Sequence, residues 1–186
     1  AISMTALGNT LYGVRIYGGA QNNTIGGDTA GERNVISGNA VNGVHIAGEG
    51  TTGNVVSGNY IGTTVYGIAP VGNAENGVYI TLGAQNNVIG GDEPGERNVI
   101  SGNEVGVTLY GNGVMSNTVS GNHIGTDRDG TTDLGNTLDG VRIYGGAKNN
   151  TVGGDAAGER NVISSNDENG VRIAGSGTTG NTVSGN

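Results

Sequence analysis

The phrase GGDTAGERNVISGN (26–39) returns as GGDEPGERNVISGN (90–103) and as GGDAAGERNVISSN (153–166). Repetition constrains a fold strongly, because every copy must take one local shape and bury its apolar residues against its neighbours. The element NN-T/V-I/V-GG starts at Asn22, Asn86 and Asn149, so the period is 64 and then 63. TTGNVVSGN (51–59), VMSNTVSGN (114–122) and TTGNTVSGN (178–186) keep the same interval.

A shorter beat runs inside the period. The unit N-T/V-I/V-x-G/S begins at Asn34, Asn54, Asn98, Asn117, Asn161 and Asn181. The step from Asn34 to Asn54 is 20, and that from Asn54 to Asn98 is 44, or twice 22. The spacing predicts three turns of about 21 residues per period, about nine in all. A second beat, G-V-x-I/L, falls at Gly13, Gly43, Gly77, Gly106, Gly140 and Gly170. Its apolar pair brackets a variable residue: Arg15, His45, Tyr79, Thr108, Arg142 or Arg172. Alternation with period two in so short a run means strand, apolar pair inward and variable residue outward. In N-V-I-S the Ile faces inward. No segment keeps a helical period.

Short strands broken by Gly and Asn predict an all-β parallel solenoid, a single domain over 1–186. Right-handed coiling is the favoured sense for parallel connections. Nine turns at the strand spacing would make a rod roughly 40 Å long. Forty Gly in 186 residues could instead mean collagen or disorder, but there is no Gly-X-Y period and Val and Ile recur too regularly. With no Phe, Trp or Cys, a globular core would be thin and disulfide or thiolate chemistry is excluded. A net charge of −8 leaves no basic footprint for nucleic acid. No apolar run approaches the ~20 residues of a membrane-spanning helix. MTALGNTLYGVRIYGGAQ (4–21) aligns with TTDLGNTLDGVRIYGGAK (131–148), and NTVSGN is where another copy would continue. The chain is therefore expected to be a fragment of a longer repeat protein, or to stack end to end through its exposed strand edges.

The stretch NVISGNAVNGVHIAGEGTTGN (34–54) resembles the repeat of right-handed parallel β-helix proteins, the pectin-lyase-like superfamily. The longer phrase from NYIGTTVYG through GNAENGVYITLGAQNNVIGGDEPGERNVISGN (59–103) is similar to repeats of large secreted or surface-attached bacterial proteins. The resemblance covers essentially the whole chain. It implies the β-helix and an extracellular or cell-surface setting. It does not choose an activity, since that superfamily holds lyases, hydrolases, epimerases, adhesins and spacers.

Four groups of residues are candidates for function or bracing. Asn34, Asn54, Asn98, Asn117, Asn161 and Asn181 are expected to stack amide on amide as turn ladders. Asp28, Glu32 and Arg33 recur as Asp92, Glu96 and Arg97 and as Asp155, Glu159 and Arg160; each set reads as a loop brace with Arg on carboxylates or carbonyls. Calcium is the alternative there, opposed by the adjacent Arg. Asp127, Asp129 and Asp133 crowd the loop TDRDGTTD (126–133), half of a calcium loop without the full ligand spacing. Tyr17, Tyr79, Tyr110 and Tyr144, with Arg15 and Arg142, would form an outward stripe on which a glycan stacks. A lyase would need an Arg base beside acids, for which Arg142 with the three aspartates is the best set. The regularity of the chain argues instead for a non-catalytic structural or adhesive module, with no cofactor unless calcium. Its partner would be a further copy of itself or a polysaccharide.

Overall fold

The computed structural model describes residues 7–186. Residues 4–6, which open the phrase matched to 131–148, lie outside that range. The chain winds through the same three directions again and again. The first turn carries β1 (Val14–Tyr17), β2 (Thr24–Gly26) and β3 (Val35–Ile36). The second carries β4 (Val44–Ala47), β5 (Val55–Ser57) and β6 (Tyr60–Ile61). The third holds β7 (Asn76–Thr81), β8 (Val88–Gly90) and β9 (Val99–Ile100); the fourth, β10 (Val105–Tyr110), β11 (Thr118–Ser120) and β12 (His123–Ile124). The fifth holds β13 (Val141–Tyr144), β14 (Thr151–Gly153) and β15 (Val162–Ile163), and the sixth β16 (Val171–Ala174) and β17 (Thr182–Ser184). First strands form sheet A, second strands sheet B and third strands sheet C. All pairings within them are parallel and in register, as in Val44↔Val78 and Ile46↔Ile80. The fold is a parallel β-solenoid. Among the described residues the only helical segments are single 3₁₀ turns at Pro94–Glu96 and Ala157–Glu159.

The expected nine short turns are in fact six longer ones. Along the first inward column of sheet A, Val14, Val44, Val78, Val107, Val141 and Val171 stand level with one another, one per turn. Their steps in sequence alternate between a shorter one, such as Val14 to Val44, and a longer one, such as Val44 to Val78. The long period is thus two turns, and the six levels rise about 24 Å rather than about 40 Å. The physical reason is that insertions alternate between two corners. In turns one, three and five the GGDxxGER loop separates sheet B from sheet C. In turns two and four that corner shrinks to Ser-Gly-Asn (57–59, 120–122), and a hairpin leads from sheet C to sheet A. Antiparallel bridges Thr63–Pro70 and Thr126–Asp133 close these hairpins. The step from Asn34 to Asn54 therefore runs from sheet C to sheet B and is no complete turn. Strands β6 and β12, in NYIG and NHIG, fill the sheet C positions that the shorter beat passed over.

The core is a stack of small apolar side chains, one column per inward position. Ile46, Ile80, Leu109 and Ile143 are fully buried in sheet A, Val56, Ile89, Val119 and Val152 in sheet B, and Ile61, Ile100 and Ile124 in sheet C. Each contributes about 1.5–3 kcal/mol on burial, and similar size at every level lets turns superimpose without Phe or Trp. The corner between sheets A and B takes a left-handed residue at every level: Asn22, Gly53, Asn86, Ser116, Asn149 and Gly180 all have φ between 54° and 70°. Asn and Gly dominate that column because they adopt this conformation at least cost.

Candidate functional site

Three asparagine ladders run the length of the stack. In each, the Oδ1 of one Asn accepts from both the backbone N–H and the Nδ2 of the Asn one turn earlier. The first joins Asn9, Asn39, Asn73, Asn103, Asn136 and Asn166. The second joins Asn23, Asn54, Asn87, Asn117, Asn150 and Asn181. The third joins Asn34, Asn59, Asn98, Asn122, Asn161 and Asn186. The six asparagines singled out in the sequence thus divide between two ladders. Asn34, Asn98 and Asn161 alternate with Asn59, Asn122 and Asn186; Asn54, Asn117 and Asn181 alternate with Asn23, Asn87 and Asn150. Asn54, Asn59, Asn87, Asn98, Asn103, Asn117, Asn122, Asn136 and Asn150 are wholly buried, so each ladder satisfies polar groups that would otherwise be costly inside.

The GGDxxGER loop closes on its glutamate. Glu32 Oε2 accepts from the Thr29 hydroxyl at 2.8 Å and the Thr29 N–H at 3.1 Å. Those two bonds hold its carboxyl below the ordinary range. Glu96 Oε2 accepts from the N–H of Asp92 and Glu93, and Glu159 Oε2 from that of Ala156. Asp28, Asp92 and Asp155 are exposed. Arg33 and Arg97 reach to the next turn, donating from Nε to the carbonyls of Gly58 (3.0 Å) and Gly121 (3.2 Å). Arg33 also lies 4.4 Å from the Tyr60 ring centre. Arg160 makes no such bond among the described residues. The Asp–Arg pairs do not bridge each other: among the described residues the ion pairs all involve Arg128, Arg142 or Arg172.

The three aspartates of 126–133 do not converge. Asp127 is buried, and its Oδ1 accepts from the N–H groups of Thr131 (2.9 Å) and Thr132 (3.1 Å), closing the hairpin. The Thr131 bond is the main cause that its carboxyl titrates down at about 2, against the opposing effect of burial. Asp129 is exposed, 3.8 Å from the Arg128 Nε, while Asp133 Oδ1 accepts from the Gly135 N–H at 3.0 Å. Among the described residues no three acidic or histidine side chains gather as a metal-binding group.

The outward face of sheet A has two columns. One reads Arg15, His45, Tyr79, Thr108, Arg142, Arg172; the other reads Tyr17, Ala47, Thr81, Tyr110, Tyr144, Ala174. The four tyrosines therefore do not make one stripe. Tyr110 and Tyr144 are neighbours, with ring centres 4.5 Å apart and planes tilted by 37°. Tyr17 is separated from them by Ala47 and Thr81, and lies 4.2 Å from the Arg15 guanidinium. Tyr79 sits in the other column, stacked on His45 at 5.5 Å. Burial pushes the Tyr79 and Tyr144 hydroxyls upward.

Two features escaped the sequence reading. Arg142 is held by Asp139, whose side chain is fully buried and which also accepts from Asn169 Nδ2 at 2.7 Å. Arg172 Nη1 stands 3.8 Å from the same carboxylate. The signal was an Asp at the step before Gly140 where Asn42, Asn76 and Asn169 stand before theirs. The second feature is Tyr12, whose ring lies 4.6 Å from His45. Arg142, Tyr144, Arg172 and Ala174 line a small cavity on this face. Compared with protein families, with characterised proteins and with solved structures, the chain shows no significant match.

Proposed function

We propose that the chain is a structural and adhesive repeat module of a secreted or cell-surface protein, non-catalytic and able to associate end to end. Kinship to the right-handed, pectin-lyase-like β-helix proteins and to bacterial surface repeat proteins belongs to this reading. One observation carries it: three asparagine ladders and sheets A and B continue in register from the first level to the sixth, with sheet C following to the fifth. The same ladders give the stack a polarity. Among the described residues the Oδ1 atoms of Asn23 and Asn34 accept nothing at one end, and the backbone N–H groups of Asn181 and Asn186 donate nothing at the other. A second copy placed head to tail would join them, an open, non-closing contact. Sedimentation velocity over a wide concentration range is the test. Growing linear species are expected; a strict monomer throughout would contradict end-to-end association.

A second reading, glycan binding, is favoured by the Tyr110–Tyr144 pair beside the cavity at Arg142 and Arg172. A glycan array probed with and without calcium separates the two. Retention lost on Tyr144→Ala would support the binding face; product released from an acidic polysaccharide would overturn the non-catalytic reading.

A further inference from the structure

His45 is the outward residue of β4 and ought to be wet, yet it is 6% exposed. Tyr12 covers it from the first turn and Tyr79 from the third, the latter with ring planes only 13° from parallel. Both ring nitrogens are sealed from solvent and find no hydrogen-bond partner among the described residues. The other histidine, His123, is equally buried but has the Asp127 carbonyl 3.2 Å from Nδ1. Arg15 is the in-register neighbour of His45 on β1, and its guanidinium also lies over Tyr12, 5.5 Å from the ring centre. The groups facing the ring are thus Arg15 and Tyr12 on one side and Tyr79 on the other. No carboxylate of the described residues lies within ion-pair reach of it.

We propose that His45 is an acid-operated latch: protonating its ring frees Tyr12 and Arg15 from the second turn. A neutral imidazole fits a slot between two tyrosines as an aromatic plate. An imidazolium there has two N–H donors, no acceptor, and a guanidinium alongside. The tyrosine faces attract a cation, but they do not replace lost hydration at both nitrogens. Burial first and Arg15 second hold the folded ring below its ordinary titration range. The unfolded or unlatched ring takes up its proton near pH ~6.5. The latch is therefore complete above that pH and is lost as pH falls through the window below it. Each unit of separation between the two midpoints costs the latched turn about tenfold in population at lower pH. The first turn is the one to yield, because it sets the Arg15 guanidinium beside the imidazolium, whereas the third turn sets only the Tyr79 ring there. This inference does not depend on whether the rod is a spacer or a binder.

The experiment is a residue-resolved titration of the whole chain from about pH 7.5 to 4.5 by two-dimensional NMR, spanning the histidine range. The His45 ring is expected to titrate below ~6.5 while the Val14 and Ile16 amides leave their native positions and Val119 keeps its own. His45→Phe keeps the aromatic plate without the proton, and its first turn should stay native to the bottom of the range. A His45 midpoint at or above ~6.5 would overturn the proposal. So would identical first-turn loss in parent and variant. Should the variant not fold, the parent decides alone, since a first turn that stays native through the His45 midpoint sinks the latch.

Discussion

Asn98 and Asn34 head the same Asn-Val-Ile phrase and hang on the same ladder, two turns apart. Asn98 is wholly buried: it donates to Asn122 Oδ1 and to the Val56 carbonyl, and its own Oδ1 receives both donors of Asn59. Asn34 is exposed; its N–H and Nδ2 donate to Asn59 Oδ1, and among the described residues its own Oδ1 receives nothing. Ile100 is fully buried, while Ile173, an inward residue of the last turn, is 43% exposed. One sequence motif thus has two energetic weights, set by whether turns lie on both sides of it. Stability in such a fold resides in interfaces between turns more than in the turns themselves.

The sharpest way to break this comparison is to place a charge in the middle of a column and another at its end. Ile100→Asp should cost more than about 4 kcal/mol and abolish folding, through an unpaired carboxylate in a dry core. Ile173→Asp should lower the thermal midpoint only modestly; equal losses would erase the distinction between middle and end. Next come the ladders. Asn98→Ala leaves the buried Asn59 N–H without an acceptor and takes the Asn98 donor from the Val56 carbonyl, and should cost about 2–4 kcal/mol by denaturant titration, against less than about 1 kcal/mol for Asn34→Ala. Loops follow. A Cβ at Gly95 would strike the Asp28 carbonyl of the loop two turns earlier, whereas one at Gly31 meets nothing. Gly95→Ala should therefore cost about 1–3 kcal/mol, and Gly31→Ala should be neutral or stabilise by about 0.5 kcal/mol.

The smallest effect separates the two hairpins. Asp127 titrates down at about 2 in the folded chain, below its unfolded value of about 3.9. Its stabilisation is therefore present above pH ~4 and is lost as pH falls toward ~2. Asp127→Asn should flatten the acid limb of the stability curve in that window. A change in the 62–72 hairpin, which has no acid, should leave that limb as it is.

Side-chain direction was legible in the sequence because it depends on period two alone. Every G-V-x-I/L run is a sheet A strand, and Ile36 and Ile100 point inward. The number of turns was not, since it depends on which Asn-led strands share a sheet. Alternating loops make the steps unequal, and Asn34 and Asn54 look alike while belonging to different sheets. Register between turns also decides the outer columns. Only the stacking puts Tyr79 against His45 rather than Tyr110, and only the approach of β13 and β16 to one corner buries Asp139 under Arg142 and Arg172. Asp127, Asp129 and Asp133 look like a cluster in one dimension, but the hairpin turns them to separate backbone partners or to solvent.

The turn length is the most direct thing to measure, and a chain without cysteine makes it simple. Thr151 of β14 lies opposite Thr182 of β17, one full turn on. Neighbouring parallel strands hold Cα atoms about 4.8 Å apart, within disulfide reach. Under oxidation, Thr151→Cys with Thr182→Cys should cross-link quantitatively in the folded chain, and Thr151→Cys with Arg172→Cys should not. The reverse result, a bond between positions 151 and 172 and none between 151 and 182, would contradict a solenoid of six turns and its three asparagine ladders.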